Sequence, residues 1–532
     1  MEALVGLLLI VLPIALAFVM LVFLHRAADT TGVVVWLVTV VIAVLAFQTD
    51  FIIVLTASVA GIVKSFPISL MVATSILMMT YMQETGSLQR LVVFFKTLGG
   101  GSRPMQIMII SLGLGLFLVG IGATPVSMLP PVMLALGFNP LVAVALPAIG
   151  YDPLTTFALL GVPAVVFRDT YSQVSGVDIP LWQAGSVFSF YMPIITTGIA
   201  VSMLWIGGGS KLLKSREGLL LAAVCGVTAG VVSIVCNTAI VNQTTLTDVF
   251  AGAAVLLVLF LYNKARRRPL IDKSMLSEKD NEIVASMSLK RASIPWLILV
   301  VLCLMTNLIP YFRDILYNQL AMKVVVGSYP DLIPTRVLWQ AYTLMLIATV
   351  LSIPFFRRDK TTLRNVFAKF MKRAPRPVLA AAIFFAMAEV MNYSGFYFDL
   401  GKWTFPSATP TNNMIYMLAT MTSETLGRGY PLTAAFLGLL AGFISGSETS
   451  AIAMFTKYHH EASTLIGANS IVVAASNGIG GGLASVLSPA KIQNAAAVID
   501  QIGIEGRVIR YGAVVAILMT AVVAIMTMLW AF

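Results

Sequence analysis

The segment Gly137-Phe-Asn-Pro-Leu-Val-Ala-Val-Ala-Leu-Pro-Ala-Ile-Gly150 has a counterpart far along the chain, Gly467-Ala-Asn-Ser-Ile-Val-Val-Ala-Ala-Ser-Asn-Gly-Ile-Gly480. Six of the positions, occupied by Gly, Asn, Val, Ala, Ile and Gly, coincide at a constant offset. A second pair of similar segments, Leu114–Gly120 and Leu440–Gly446, precedes them. Recurrence of this kind indicates an internal repeat, in which each copy forms one structural unit.

The sequence on either side of both copies has the composition of a membrane protein. Of its 532 residues, 58% are hydrophobic and 11% are charged, whereas a soluble protein has about 25% charged residues. Since about 20 apolar residues cross a bilayer, we predict an all-α polytopic membrane protein with about twelve transmembrane helices. The predicted spans are 4–24, 32–49, 67–82, 140–167, 182–207, 218–236, 244–263, 294–312, 337–356, 377–394, 467–488 and 510–531.

The basic residues are clustered in loops, and this clustering predicts the orientation of the chain. Lys264–Arg291 and Arg357–Arg376 together hold about half of the 34 basic residues, and both lie between apolar runs. Basic loops remain on the cytoplasmic side of a membrane. The distribution therefore favours a multi-pass protein of the cytoplasmic (inner) membrane with both termini outside the cytoplasm. It also excludes nucleic-acid binding as the reason for the net charge of +11.

Two further apolar stretches, 104–136 and 431–466, carry Gly, Ser, Thr or Pro near the middle. We predict that both are re-entrant hairpins, because irregular backbone at membrane depth must line a protein or water cavity. The stretches 51–65 and 360–374 are apolar on one face only. This pattern predicts helices that lie flat at opposite surfaces of the membrane.

The predicted orientation makes the two repeats inverted relative to each other, as in many secondary transporters. The first repeat covers 1–207 and contains one hairpin and a broken helix at 140–167. Residues 208–293 form connecting helices and a basic cytoplasmic loop. Residues 294–532 form the second repeat, with its broken helix at 467–488. In such proteins the substrate site lies near the midplane, where the repeats meet.

Each repeat contains a segment that should interrupt a helix. Pro147–Pro153 has two prolines and a glycine, and Ser476–Gly482 is rich in glycine; both residue types are unfavourable inside helices. A break exposes amide N–H groups that attract a carboxylate. The hairpin tips, Gly120–Pro125 and Ser445–Ser450, add small residues and hydroxyl donors. Close helix packing is the alternative explanation for the glycines.

These four segments provide the candidate residues for substrate binding. Asp152, Glu389 and Glu448 also lie in or near apolar segments, where a carboxylate costs about 2.5–3.5 kcal/mol on insertion scales. Such residues usually serve ion pathways or proton relays, so we predict that these three couple proton or cation movement to transport. The candidate binding residues are Gly122, Ala123, Thr124, Pro125, Tyr151, Asp152, Ser445, Gly446, Ser447, Thr449, Ser450, Ser476, Asn477 and Gly478.

At these residues the chain resembles the bacterial lactate permease family, most clearly from about Phe66 to Arg510. Gly446–Ser450 is the most specific match, because the family also carries an acid between the serine and the threonine. The resemblance implies proton symport of L-lactate, D-lactate or glycolate, and an elevator motion of a substrate domain past a scaffold. The matching motifs are Glu84-Thr-Gly86, Gly122-Ala-Thr-Pro125, Leu136-Gly-Phe-Asn-Pro140, Gly161-Val-Pro163, Asn392-Tyr-Ser-Gly395, Gly446-Ser-Glu-Thr-Ser450, Ala475-Ser-Asn477 and Ser488-Pro489.

The chain departs from the family pattern at three places. Val119 stands where the family has a glutamate in the first hairpin, and Tyr151-Asp152 stands where the family has Asn-Thr. Ser485 aligns with a family lysine and is a further candidate binding residue. The lost acid and the lost cation either compensate electrostatically or indicate another substrate or coupling ion. Asp152 and Glu389 could supply the missing carboxylate.

The sequence thus predicts a secondary active transporter that imports a small monocarboxylate, lactate or glycolate, by proton symport. A sodium- or proton-coupled transporter of another small organic anion and a cation/proton antiporter remain alternatives. The expected partners are a small organic anion and the lipid bilayer, with a homodimer left open. H⁺ or Na⁺ would be the coupling ion, and no cofactor, metal or nucleic acid is expected. The sequence contains no visible nucleophile–base pair that would indicate an enzyme. It also contains no nucleotide-binding loop that would indicate an ATP-driven pump.

Overall fold

The computed structural model describes residues 3–24, 26–98, 102–123, 125–150, 152–269, 271–356, 360–399, 401–405, 412–501 and 503–532. Over these residues the chain is a bundle of α-helices with two short β-hairpins. Ten of the described helices are long and apolar enough to cross a membrane. The predicted all-α polytopic class is therefore confirmed.

The first half of the bundle ends with the helix that precedes the basic connector. Its helices are α1 (Ala3–Val22), α2 (Ala28–Leu45), α3 (Phe51–Lys64), α4 (Phe66–Glu84), α5 (Ser87–Thr97), α6 (Arg103–Ile107), α7 (Leu114–Gly120), α8 (Pro125–Ala135), α9 (Pro140–Ile149), α10 (Ala158–Ser175), α11 (Leu181–Ser189), α12 (Met192–Leu213), α13 (Arg216–Cys236) and α14 (Thr247–Ala265). A π-helical segment joins α6 to α7, and 3-10 turns precede α10 and α14. These segments are Met108–Gly113, Thr155–Phe157 and Thr244–Leu246.

The second half begins in the connector and also contains the two β-hairpins. Its helices are α15 (Glu278–Ser286), α16 (Leu289–Leu308), α17 (Pro310–Arg313), α18 (Ala341–Ser352), α19 (Lys360–Arg373), α20 (Pro375–Asn392), α21 (Met414–Leu426), α22 (Pro431–Ser445), α23 (Glu448–Leu465), α24 (Ser470–Leu483), α25 (Pro489–Val498) and α26 (Glu505–Trp530). The antiparallel strand pairs are β1 (Met322–Val324) with β2 (Ile333–Thr335), and β3 (Tyr397–Asp399) with β4 (Lys402–Thr404). The remaining short helical segments are Lys273–Met275, Asp314–Gln319, Ile353–Phe355, Gly427–Gly429 and Ser485–Leu487.

The count of ten described spans differs from the predicted twelve for local reasons. The apolar part of α1, Val5–Leu21, and the helical stretch Ala341–Phe355 are shorter than a full span. The predicted span at 140–167 is divided into α9 and α10. One helix is gained, because Arg103–Gly120, the first arm of the predicted hairpin at 104–136, is itself long enough to cross.

The two stretches that the sequence predicts to lie at the membrane surfaces form the helices α3 and α19. Phe51, Ile52 and Val59 are exposed on α3, and Phe367 and Met371 are exposed on α19. A surface helix inserts an apolar face of this kind into the headgroup region of a bilayer.

The break in the first repeat is a long irregular linker. Helix α9 ends at Ile149, inside Pro147–Pro153, and regular helical backbone resumes only after Gly161. Leu159 and Leu160 both have positive φ, at 55° and 60°. A left-handed conformation costs roughly 1–2 kcal/mol for such residues. Strain of this kind is often found where a segment is held for function.

The break in the second repeat lies later than the sequence predicts. Helix α24 runs without interruption through Ser476–Gly482 and ends at Leu483, so the predicted break within the glycine-rich segment is wrong. The interruption is at Ala484–Ser488, where a 3-10 turn separates α24 from α25.

The glycines of α24 permit close packing against α22. A Cβ on Gly438 of α22 would lie 1.9 Å from the carbonyl oxygen of Asn477, and one on Gly480 would lie 1.9 Å from that of Ala435. The two backbones are therefore in direct contact, as small residues allow in membrane proteins. The packing interpretation, which the sequence left open, accounts for these glycines.

Candidate functional site

A cavity of about 330 Å³ lies beside the turn that joins α22 to α23. In this turn, Gly446 adopts a left-handed φ of 70°. Ser447 caps α23, since its hydroxyl accepts a hydrogen bond from the N–H of Ser450 at 3.4 Å. The other walls come from the start of α2, α4, α20, the first part of α10 with the linker before it, and the start of α25. The polar lining residues are Asp29, Thr155, Arg376, Ser445, Ser447, Glu448, Thr449, Ser488 and Lys491.

Glu448 is the buried acid of this cavity. Its Oε1 accepts a hydrogen bond of 2.6 Å from the hydroxyl of Thr156, which lies in the 3-10 turn of the first repeat. A Cβ on Gly482 would lie 2.6 Å from Oε2, so the glycine leaves the space that the carboxylate occupies. Residues from both predicted repeats, Thr156 and Gly482, therefore position Glu448.

Lys491 brings a positive charge to the same place. Its ammonium group donates a hydrogen bond of 3.0 Å to the hydroxyl of Ser485, and it interacts electrostatically with both Asp152 and Glu448. Asp152 is buried and accepts a hydrogen bond from the backbone of Val486. Two carboxylates, one ammonium group and several hydroxyls thus form one cluster where the breaks of the two repeats meet.

Other predicted binding residues lie behind the cavity. Ser476 donates its hydroxyl hydrogen to the carbonyl of Val473 at 2.7 Å, and Asn477 donates to the carbonyl of Ala451 at 3.0 Å. Gly478 faces the ring of Phe188. These three residues and Ser450 are fully buried among helices. The structure gives them packing contacts and does not bring them to the cavity wall.

The tip of the first hairpin is also apart from this cavity. The carbonyl of Gly122 accepts a hydrogen bond of 3.0 Å from Ser75 on α4. Gly122 and Ala123 lie in a small void beside Met345. Pro125 is buried at the start of α8. Two further candidates, Thr124 and Tyr151, lie outside the described residues.

Glu389 lies in a second cavity, of about 350 Å³. Its carboxylate forms an ion pair of 2.9 Å with Lys64 and accepts a hydrogen bond of 2.6 Å from Tyr329. In the same cavity Arg336 forms an ion pair of 3.0 Å with Asp169. The structure therefore separates Glu389 from the cluster of Asp152 and Glu448.

The sequence analysis missed several residues of the site, among them Lys491 and Thr156. Lys491 follows the Ser488-Pro489 motif and is the only charged residue between Glu461 and Asp500. A single charged residue in a long uncharged stretch could have marked Lys491 as a candidate site residue. Lys491 contacts Ser485, the position at which the resemblance predicts a missing lysine. Thr156 gave no signal, because threonines within an apolar stretch are common.

This arrangement is suited to a small anion. Lys491 supplies a full positive charge, and the amino-terminal end of α23 supplies a partial one. The hydroxyls of Ser447 and Thr449 can donate hydrogen bonds, whereas that of Ser445 donates to the carbonyl of Ala441. The volume is at the lower end of the range for small-molecule sites, which fits a compact cargo.

Known proteins with similar sequences are permeases. The chain is 24% identical over 461 residues to the L-lactate permease of Salmonella typhimurium, which covers 80% of this chain and 78% of that protein. It is 23% identical over 563 residues to the glycolate permease GlcA of Escherichia coli K12, which covers 98% of this chain and 95% of that protein.

A solved structure and a family profile complete the comparison. MtrF of Neisseria gonorrhoeae, which represents a class of antimetabolite efflux pumps, aligns with a TM-score of 0.48 and 11% identity over 95% of each chain. The profile of the L-lactate permease family matches residues 6–532. Because that match spans nearly the whole sequence, the chain belongs to the L-lactate permease family and is an integral membrane protein.

Proposed function

We propose that this protein imports a small monocarboxylate, lactate or glycolate, across the cytoplasmic membrane by proton symport through the cavity at Glu448 and Lys491. The family and its named relatives support a transporter of small monocarboxylates rather than an enzyme. The observation that carries the specific proposal is the cluster of one lysine and two acids beside the cap of α23.

Lys491 is the proposed partner of the cargo carboxylate. A hydrogen bond to a charged group contributes roughly 1.5–3 kcal/mol, and the end of α23 adds about 0.3–1 kcal/mol for an anion. The apolar walls, which include Ile68, Val72 and Ala380, suit the methyl or methylene group of a small hydroxy acid. Specificity then depends on the hydroxyls at the hairpin tip.

The charges of the cluster explain why a proton would travel with the cargo. If Asp152 and Glu448 are both ionised, the cluster with Lys491 carries a net charge of −1, and it repels an anion. Two like charges about 6 Å apart repel by about 3 kcal/mol at an effective dielectric constant of about 20. One proton on either acid removes this repulsion, so proton and carboxylate bind best together.

We also propose that the cluster moves as part of an elevator, with the α22–α23 turn as a re-entrant hairpin tip and the repeats inverted. The placement of the site between the two helix breaks supports this proposal, because inverted-repeat transporters bind cargo at such breaks. Glu389, paired with Lys64 in the other cavity, would contribute to closing the far side rather than to the cargo site.

The test is uptake into proteoliposomes that contain the purified protein. An inward proton gradient should drive accumulation of labelled lactate or glycolate, and a sodium gradient alone should not. Lys491→Gln should reduce uptake at least about tenfold, since losing about 1.4 kcal/mol of carboxylate binding gives that factor. Lys402→Gln, which changes an exposed lysine of β4, is the matched control.

The outcomes distinguish the alternatives. Uptake that is driven by a sodium gradient and not by a proton gradient would show that Na⁺ is the coupling ion. Ion exchange without any organic cargo would favour a cation/proton antiporter. Wild-type uptake by Lys491→Gln would remove Lys491 from the binding site.

A further inference from the structure

We infer that Asp248, at the start of α14, is a third carboxylate that binds a coupling proton. This inference rests on the proposed symport, and it adds a residue that lies outside both helix breaks and both hairpins. Asp248 is in the first turn of α14, directly after the 3-10 turn Thr244–Leu246.

The side chain of Asp248 is fully buried, and neither of its oxygens has a hydrogen-bond partner among the described residues. An ionised carboxylate without donors is far more costly to bury than a neutral acid. A charged carboxylate is especially costly within the membrane-spanning part of a protein. The neutral, protonated acid is therefore the form that this environment favours.

Asp248 lies directly behind the first hairpin tip. A Cβ on Gly120, the last residue of α7, would lie 2.8 Å from the Cβ of Asp248. The backbones of α14 and α7 are also close, since a Cβ on Gly252 would lie 2.4 Å from the amide nitrogen of Phe117. Any movement of this hairpin tip would change the surroundings of Asp248.

The charged neighbour of Asp248 is the acid of the cargo cavity. Among the described residues, Glu448 on α23 is the charged group that interacts with it electrostatically. Helix α7 and the π-helical segment before it carry no titratable residue. On α13 the nearest titratable group is the thiol of Cys236, which is hydrogen-bonded to Thr247. The titration of Asp248 is thus coupled to that of Glu448, because two nearby carboxylates resist simultaneous ionisation.

A purely structural role does not account for these observations. An acid in the first turn stabilises a helix by interacting with its exposed N–H groups. Asp248 accepts no hydrogen bond from them. An asparagine or a small apolar residue would meet a packing requirement without the cost of a buried acid.

The first experiment measures coupling. Asp248→Asn keeps the shape and removes the proton. Each coupling proton contributes 1.36 kcal/mol per unit of pH gradient, or about a tenfold accumulation. We therefore expect steady-state accumulation under a one-unit gradient to fall about tenfold, while exchange of labelled for unlabelled cargo without a gradient continues. Asp314→Asn, an exposed acid bonded to Asn318 and Gln319, should change neither quantity.

The second experiment measures directly whether the carboxyl group of Asp248 is protonated. The infrared spectrum of the purified wild type at neutral pH should contain a carbonyl band of a protonated carboxylic acid that Asp248→Asn lacks. This readout does not need transport. If the wild type moves no monocarboxylate, the proposed function fails, whereas the band still decides whether Asp248 holds a proton.

Several results would overturn the inference. Unchanged accumulation per pH unit in Asp248→Asn would show that the residue carries no coupling proton, and a spectrum identical to the wild type would show that Asp248 is ionised. If Asp248→Asn loses exchange as well, Asp248→Glu decides the matter. Restored coupling in that variant supports a titratable group at this position, and failure of both variants leaves only a packing role.

Discussion

At the scale of single residues, Glu448 shows how both repeats contribute to one group. Thr156 donates a hydrogen bond to it from the first repeat, and Gly482 leaves room for it in the second. The second carboxylate oxygen has no hydrogen-bond partner among the described residues. It is therefore the oxygen best placed to take and release a proton.

We expect Glu448→Gln to flatten the pH dependence of cargo uptake, because the amide imitates the protonated acid and cannot release the proton. Cargo binding itself should persist, since the variant lacks the charge that repels an anion. The measurement is the initial rate of uptake from about pH 5 to pH 8, the range that spans a perturbed acid. The control is Glu424→Gln, an exposed acid on α21. A pH profile equal to that of the wild type would exclude Glu448 from proton transfer.

Single residues also show where sequence reasoning reaches its limit. The acids Asp152 and Glu448 could be selected from their apolar surroundings alone. The pairing of Glu389 with Lys64 could not, because nothing local links residues so far apart in the chain. Asp248 was overlooked since it begins a helix, where an acid is ordinary. Only its complete burial, a tertiary property, makes it unusual.

At the scale of elements, the contact between α22 and α24 determines how the cavity is built. Helix α22 leads into the Ser445–Thr449 turn, and α24 leads into the second break. The contact of their backbones at Gly438 and Gly480 fixes the turn relative to the break. The sequence predicts that the glycines at Ser476–Gly482 break the helix. The structure shows that they allow α22 to approach instead. From the sequence alone, a glycine run that ends a helix cannot be told from one that lets a neighbouring helix pack closely.

We expect Gly438→Ala to lower the stability of the folded protein by about 3 kcal/mol, at the upper end of the cost of overpacking. The new methyl group would meet a backbone carbonyl that cannot rotate away. The measurement is the apparent Tm of the detergent-purified protein. The control is Gly429→Ala, where a Cβ has no atom within 4 Å. Equal Tm values for the two variants would contradict the close packing.

At the scale of the whole molecule, four helices line both cavities, namely α4, α10, α20 and α23. On α20 the first cavity touches Ala381 and the second begins at Phe385. This four-residue step is one turn, or about 6 Å of helix. On α23 the residues between the two cavities are Ser450–Ile452, all buried. The two cavities of the described structure are therefore separated only by a thin layer of buried residues.

We expect the two cavities to open to opposite sides of the membrane. Cysteine placed at Ser447 should react with an impermeant thiol reagent from the cytoplasmic side, because its cavity adjoins Arg376 of the basic loop. Cysteine at Gln173 should react from the other side. Right-side-out and inverted vesicles provide the measurement. Arg266→Cys, in the exposed basic connector, marks the cytoplasmic face, and reaction of both test sites from one side would contradict the arrangement.

The three native thiols, Cys225, Cys236 and Cys303, are all buried in helices. The unmodified chain should therefore react little with such thiol reagents.

The backbone contact between α22 and α24 has a consequence for how the substrate specificity of the protein can evolve. Where two backbones touch, a new side chain cannot be accommodated. The hydroxyl residues Ser445, Ser447 and Thr449 instead line the cavity. Variation can therefore accumulate at these residues without loosening the contact between the helices. A permease built in this way can acquire a preference for a different acid through a few exchanges at Ser445, Ser447 and Thr449 while Gly446 and Glu448 are kept. Directed evolution of substrate specificity would begin at those three positions.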